Sequence, residues 1–286
     1  MVAASTLLGV AVDGLAFGVF LALLGVGITL VFGLGEVLNL AIGTFAVMAV
    51  LVATVVVESG MGLVVAGVAA LVAVAAFGLV VDRTILSLVY RSEGEERILL
   101  GIFTTLGLTV FLDGVLINYF PSRYTLPLNV GTVSVGGATL TGGSLIIITV
   151  GAVVLAILFG FLRGTFLGKA TRTVFQDERG ARLVGVNPRR IRTLIFVLSA
   201  AVAGLGGLVF AAGSAVAVAN GFQFTTFALI ISIVGGVRSL VGAVTAGVLL
   251  GLVNQFANFF VGSYIATIIL FVTAIVVLLA RPEAIS

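Results

Sequence analysis

The chain of 286 residues has no cysteine and no histidine. It therefore cannot form disulfides, and it lacks both thiol chemistry and the side chain that most often binds metals or exchanges protons near neutral pH. It also has no G-x-x-x-x-G-K-[ST] run to hold a nucleotide phosphate. These absences remove the usual residues of most enzymes, so we expect no catalytic residue, metal or cofactor.

Charge is scarce as well. Charged residues make up 9% of the chain and hydrophobic residues 61%, with a mean hydropathy of +1.37. A water-soluble domain must cover its surface with polar side chains, so this composition indicates a chain surrounded by lipid. Continuous runs such as LIIITVGAVVLAILFGFL do not alternate as the strands of a membrane barrel would.

The apolar runs are each about 20 residues long, enough for a helix to cross a ~30 Å hydrocarbon layer. The sequence therefore predicts an all-α, polytopic transmembrane helical bundle that forms a single domain over residues 1–286. We place nine spans, with eight as the alternative, because glycine and polar residues interrupt the runs around Gly33–Gly43 and Gly235–Gly247. The predicted spans lie near 13–33, 37–57, 61–81, 98–118, 144–162, 193–217, 223–240, 241–259 and 263–280.

The loop at about 163–192 sets the expected orientation in the plasma membrane. It holds eight of the fourteen lysines and arginines, and basic loops stay on the cytoplasmic side. Counting spans from there puts the N-terminus outside, the segment at about 119–143 outside, and the tail with Arg281 inside. The N-terminus lacks the basic region of a signal peptide, so we expect the first segment to be retained.

The loops carry further patterns. The outer segment alternates apolar and small polar residues around Gly136–Gly137, which predicts a small hairpin that either caps the helix ends or docks an outside partner. The inner loop 82–97 has mixed charge and is interpreted as a solvated connector.

Within the basic loop, Asp177 and Glu178 open a run in which Ala181 and Val184 are spaced to share one side of a short helix, with Leu183 as a further candidate for that side. Such a helix can dock in a groove of a soluble partner and pass its motion to the bundle. Alternatively, the arginines only set topology and bind anionic lipid headgroups.

The end of this short helix is also marked. Gly185 suits a left-handed C-terminal position, while Asn187 and Pro188 suit the cap and first residue of a new helix. The sequence therefore predicts a helix, a break, and a second helix that enters the membrane.

Two glycine-interrupted segments, FGLGEVLNLAIGTF and VGGVRSLVGAVTAG, lie in opposite halves of the chain. Paired interruptions of this kind indicate a transport site, because broken helices leave backbone dipoles facing a cavity. Close packing through small residues is the alternative. The available polar side chains are those of Asn39, Thr44, Ser239 and Thr245.

Three acids lie in or near spans, where a charge at the bilayer centre costs about 2.5–3.5 kcal/mol. We expect Asp13 and Glu36 at the two membrane faces, and Asp113 either paired with Arg123 or reaching toward the surface. They form a poor proton relay, since no other titratable residue continues it.

Three stretches carry a family resemblance: GITLVFGLGEVLNLAIGTFAVMAVLV, FLRGTFLGKATRTVFQDERGARLVGVNPRRIRTLIFVLSAAVAGLGGLVFA and ALIISIVGGVRSLVGAVTAGVLLGLVNQ. In this order they resemble the permease family of high-affinity branched-chain amino acid ABC transporters, the Liv type. The resemblance implies two cytoplasmic ATP-binding cassette subunits, a second homologous permease, an extracytoplasmic substrate-binding protein, a lipid membrane and no nucleic acid.

The resemblance also implies residue roles. ATPase coupling is expected from Gln176, Asp177, Glu178, Ala181, Gly185, Asn187 and Pro188. The substrate pathway is expected to include Asn39, Gly43, Thr44, Gly235, Gly236 and Ser239.

The chain departs from the family pattern at both interruptions. Ile42 and Thr44 stand where the family commonly has His and Glu, and Arg238 and Val241 replace a usual glycine and proline. Fewer charged groups weaken charged hydrogen bonding, so solutes of related permeases, urea and short amides, remain alternatives to branched-chain amino acids. Other classes left open are a single-chain secondary transporter or channel, and a membrane-embedded enzyme acting on lipids.

Overall fold

The computed structural model describes residues 4–35, 37–92, 94–126, 131–135 and 138–280. In these residues the chain forms twelve α-helices, one π-helical turn and one two-stranded hairpin. The α-helices are α1 (Ala4–Gly35), α2 (Ile42–Glu58), α3 (Leu63–Val81), α4 (Ser87–Val89), α5 (Gly94–Tyr119), α6 (Gly142–Gly164), α7 (Phe166–Gln176), α8 (Glu178–Leu183), α9 (Pro188–Ala211), α10 (Asn220–Gly235), α11 (Leu240–Val261) and α12 (Ser263–Ala280). The π-helical turn, Asp82–Leu86, joins α3 to α4.

The bundle is helical, as predicted, but the count of eight or nine spans is not confirmed. Seven helices of the described residues are long and apolar enough to cross a membrane, counting Leu63–Val89 as one. Helix α2 lies in the place of predicted span 37–57 and α10 in the place of 223–240. Both are shorter than predicted, because α2 begins only at Ile42 and α10 ends at Gly235. In both places the interruption takes residues out of the helix.

Helix α1 is the centre of the bundle. It packs against α6, α9, α10 and α11, and its middle turns, Phe20–Leu24, are completely buried. A helix that is apolar on every side can be buried on every side, by other helices or by lipid, and here other helices surround α1. The rings of Phe17 and Phe20 contact Phe210 of α9, and they also contact Phe227 and Phe224 of α10, respectively.

Glycines bring α1 and α11 into backbone contact. Gly14 and Gly18 are one turn apart on α1, and Gly247 and Gly251 are one turn apart on α11. A Cβ on Gly251 would overlap the backbone of Gly18, and one on Gly247 would lie 2.7 Å from Ala22 Cα. Small residues at this spacing let membrane helices approach closely and gain dispersion energy.

The two ends of the bundle differ. The hairpin end carries β1 (Val133–Val135) and β2 (Ala138–Leu140), which pair antiparallel as predicted, and Tyr124 pairs with Val216 there. The turn residues Gly136–Gly137 lie outside the described residues. The basic end carries α7, α8, the start of α9 and the π-helical turn.

The contact between α1 and α11 yields a stability prediction. Gly251→Ala should lower the melting temperature of the detergent-solubilised protein by several degrees, because the added methyl group forces the two helices apart. Gly67→Ala on α3 is the control, since a Cβ there meets nothing within 4 Å and alanine favours helix. Equal melting temperatures for the two variants would contradict the close-packing interpretation.

Candidate functional site

The first interruption, Val37–Ala41, leaves backbone groups without helical partners. Threonines of α5 satisfy some of them: Thr105 Oγ1 accepts a hydrogen bond from Leu40 N at 3.0 Å, and Thr109 Oγ1 donates to Leu40 O at 3.0 Å. Thr105 Oγ1 also lies 3.0 Å from Leu38 O. All of these partners come from one buried face of α5.

Helix α10 holds the same segment from another side. Thr225 Oγ1 accepts from Gly43 N at 3.0 Å and lies 3.0 Å from Leu40 O. A Cβ on Gly43 would overlap Gly221 O, so only glycine allows the first turns of α2 and α10 to meet this closely. The interruption is therefore a hydrogen-bonded structure built by three helices.

The predicted pathway residues of this region are buried. Asn39 Oδ1 accepts from Ala41 N at 3.1 Å, while Asn39 Nδ2 has no partner among the described residues. Thr44 Oγ1 donates to Asp113 Oδ1 at 3.3 Å. Asp113 thus pairs with Thr44, and the structure gives it no ion pair with Arg123, contrary to one of the two predictions for this acid.

The second interruption is closed by glycine and a helix cap. Gly236 has φ +90°, a left-handed conformation that favours glycine. Ser239 Oγ accepts from Gly242 N at 3.0 Å and caps α11. A Cβ on Gly235 would overlap the backbone of Gly242.

The predicted pathway residues therefore form two separate clusters. Gly43 and Thr44 meet the first turns of α10, and Asn39 lies just before α2, whereas Gly235 ends α10 and Gly236 and Ser239 follow it. The structure does not bring the two sets into one site. Of the other acids, Asp13 accepts from Ser144 Oγ at 2.6 Å at the hairpin end, and Glu36 lies outside the described residues.

At the basic end the predicted helix, break and helix are present. Asp177 Oδ1 accepts from Arg179 N at 3.0 Å and caps α8 directly after Gln176 ends α7. Gly185 has φ +82°. Asn187 Oδ1 accepts from the backbone N–H groups of Arg189 and Arg190, and Pro188 is the first residue of α9.

The side chains of α8 differ from the prediction of one shared apolar side. Ala181 is completely buried, whereas Leu183 is 89% exposed and Val184 is 72% exposed. Leu183 lies about 200° around the helix from Ala181, and Val184 is the C-terminal cap, where the chain leaves the helix. Ala181 holds α8 against the bundle, and Leu183 and Val184 point away from it.

Glu178 ties α8 to the start of α9. Its carboxylate accepts from Arg192 Nη2 at 2.5 Å and from Arg182 Nη2 at 2.6 Å. Arg192 is only 8% exposed, and its guanidinium lies 5.3 Å from the centroid of the Tyr90 ring, a favourable cation–π distance. Tyr90 and Glu178 both line a cavity of about 460 Å³ that also borders Gly185 and Arg189.

Burial and charge act in opposite directions on Glu178. Partial burial raises the pKa of its carboxyl group, but the positive charges and hydrogen bonds of Arg192 and Arg182 outweigh burial, so the pKa is lowered. Burial raises the pKa of Tyr90, and the nearby carboxylate of Asp82 raises it further. Tyr90 therefore contacts Arg192 as a neutral ring.

Comparison with known proteins identifies the family. The family described as "Branched-chain amino acid transport system / permease component" matches residues 10–280. The chain belongs to this permease family.

Individual relatives agree. LivH of Escherichia coli (strain K12) is a high-affinity branched-chain amino acid transport system permease protein. It is 27% identical to this chain over an alignment of 296 residues, which covers 96% of this chain and 93% of LivH. LivM of the same organism, named as a permease protein of such a system, is 37% identical over 86 residues, 29% of this chain and 20% of LivM.

Among solved structures, PsaBC from Streptococcus pneumoniae in complex with Fab has a TM-score of 0.51 at 14% identity, covering 93% of this chain and 90% of that chain. This likeness shows a shared fold.

Several contacts of this family member were not predicted. Thr105 and Thr109 are one turn apart on α5, Asp113 follows one turn later, and that polar stripe was the available signal. The Glu178–Arg192 pair and the hydrogen bond from Thr193 to Asp82 at 2.6 Å join residues distant in sequence, and no local pattern marks them.

Thr225→Val tests the hydrogen bonds at the first interruption. The substitution keeps the side-chain shape but leaves Gly43 N–H without its partner, so we expect the permease to lose roughly 1–3 kcal/mol of stability. Thr226→Val is the matched control, because Thr226 is only partly buried and its hydroxyl donates to Phe222 O of its own helix. Thermal unfolding in detergent should separate the two variants, and equal unfolding would show that the interruption does not depend on Thr225.

The lowered pKa of Glu178 predicts a pH dependence. A carboxyl group with a lowered folded-state pKa adds stability above its ordinary pKa, about 4.3, and this stability is lost as the pH falls through the lowered value. Glu178→Gln should therefore lower the melting temperature near neutral pH and lessen its fall under acid. A variant that melts like the wild type at neutral pH would contradict this.

Proposed function

We propose that this chain is the permease subunit of an ABC importer for branched-chain or related amino acids. It forms part of the translocation pathway as a single transmembrane domain, without catalysis of its own. Family membership supports a transport role, and the relatives LivH and LivM, both named as permease proteins of branched-chain amino acid transport systems, suggest the solute class and a second permease. The expected partners are cytoplasmic ATPase subunits, a second homologous permease and an extracytoplasmic binding protein.

The coupling role is supported by the way in which α8 is exposed on one side and attached to the bundle on the other. This short helix stands at the basic end with Leu183 and Val184 exposed, while Ala181 is buried and the Glu178–Arg192 pair attaches the helix to α9. Helix α9 in turn packs on α1, α2, α3 and α6. A partner that binds the exposed side of α8 can therefore move the bundle. We assign the ATPase as that partner.

The orientation belongs to the same proposal. The basic end faces the cytoplasm, because positively charged loops remain there, and the ATPase must meet α8 in that compartment. The hairpin end and the N-terminus then lie outside, where the binding protein delivers the solute. Residue Arg281 of the expected cytoplasmic tail lies outside the described residues.

Gly185→Val tests the coupling role. Valine is strained at φ +82°, so the end of α8 should shift, and the variant should insert in the membrane but lose ATPase co-purification and solute uptake. Enlarging Ala181 should act in the same way. The matched control is Gly60→Val, since Gly60 has φ +87° and open space around it in the turn between α2 and α3.

The readouts are affinity purification in mild detergent and leucine uptake by proteoliposomes holding the complete complex. Uptake at the wild-type rate in the Gly185→Val complex would reject the coupling role. Recovery of the wild-type chain without any ATPase, under conditions that preserve other ABC complexes, would reject the importer itself.

A further inference from the structure

Asp113 is a carboxylate within a membrane-spanning helix. It lies six residues before Tyr119 ends α5, about 9 Å along the helix axis. The neighbours on its side of the helix, Val110 and Ile117, are exposed and apolar. Asp113 itself is half-buried, and its carboxylate accepts a hydrogen bond from Thr44 Oγ1.

A carboxylate at this place is unfavourable against lipid. Ionisable residues inside membranes almost always face the bundle interior or a water-filled path, because a charge in hydrocarbon lacks solvation. Asp113 lies at the border between the buried and the exposed sides of α5, so in the single chain one side of its carboxylate is not covered by protein. That side needs a polar or charged group from outside this chain.

Two helix starts converge on the same carboxylate. Thr44 is the third residue of α2, and Gly221 is the second residue of α10. A Cβ on Gly221 would lie 3.4 Å from Asp113 Oδ1, so glycine leaves room for the carboxylate at the start of α10. The positive ends of helix dipoles favour the ionised form of an acid, while partial burial opposes it.

We propose that Asp113 binds the ammonium group of the amino acid solute as the solute passes between this chain and the second permease. The inference rests on the proposed function. A carboxylate accepts strong charge-assisted hydrogen bonds from a primary ammonium, and the helix starts of α2 and α10 keep it in place. Urea and short amides carry no such cation, so Asp113 favours an amino acid among the possible solutes.

The absence of cysteine provides a direct test of access. Asp113→Cys would introduce the chain's single thiol, and in a complex with cysteine-free partners this thiol should react with a positively charged, membrane-impermeant methanethiosulfonate. Saturating leucine delivered by the binding protein should slow the reaction several-fold. Phe111→Cys is the control, because Phe111 is also exposed but lies about 200° away around the helix, and it should react slowly and without leucine protection.

Uptake provides the second test. Asp113→Asn should reduce leucine uptake by proteoliposomes at least tenfold while ATP hydrolysis stimulated by the binding protein continues, and Asp113→Glu should recover part of the uptake. Asn118→Ala is the control on the same helix, since Asn118 is exposed and bonds only to Gly114 O. It should transport like the wild type.

The outcomes separate the inference from the proposed function. Wild-type uptake by Asp113→Asn, or a thiol in the Asp113→Cys variant that is no more reactive than the control thiol, overturns the inference alone. Loss of the second permease from the Asp113→Asn complex also overturns it, because Asp113 would then be pairing with a cation of that subunit. A wild-type complex that carries an amide but no amino acid overturns the proposed function and this inference together.

Discussion

The need to satisfy every backbone polar group in an apolar surrounding governs this fold. A continuous helix meets it alone, but an interruption exposes N–H and C=O groups that lipid cannot solvate. At Val37–Ala41 the hydroxyl groups of Thr105, Thr109 and Thr225 supply the missing partners. Because these threonines belong to α5 and α10, the same hydrogen bonds also set where those helices stand relative to α2.

The remaining order follows from close glycine contacts. The α1–α11 contact through Gly18 and Gly251, and the α2–α10 contact through Gly43, bring backbones together. Tight packing of this kind deforms little. The basic end is held differently, by the ion pair of Glu178 with Arg192 and the nearby Tyr90 ring.

Local chemistry made part of this structure predictable. Asp177, Gly185 and Asn187 with Pro188 each act on their own neighbours, so caps and turns follow from the sequence. The helical class followed from composition, and the hairpin from alternation. The number of spans did not, because where α2 begins and where α10 ends depend on threonines and glycines in other segments. The exposure of Leu183 and Val184 and the partner of Glu178 likewise depend on tertiary contacts.

The π-helical turn at Asp82–Leu86 has a geometric effect at a distance. Its hydrogen bonds enclose one residue more than those of an α-helix, so every side chain after it is rotated by about 100° from the phase that α3 would have kept. Tyr90 follows this turn and meets Arg192 in the rotated phase. A change within the turn that restored α-helical winding would therefore swing the ring away from the guanidinium while leaving both residues intact. The helical phase of this one span therefore determines which side chain contacts Arg192 near the start of α9.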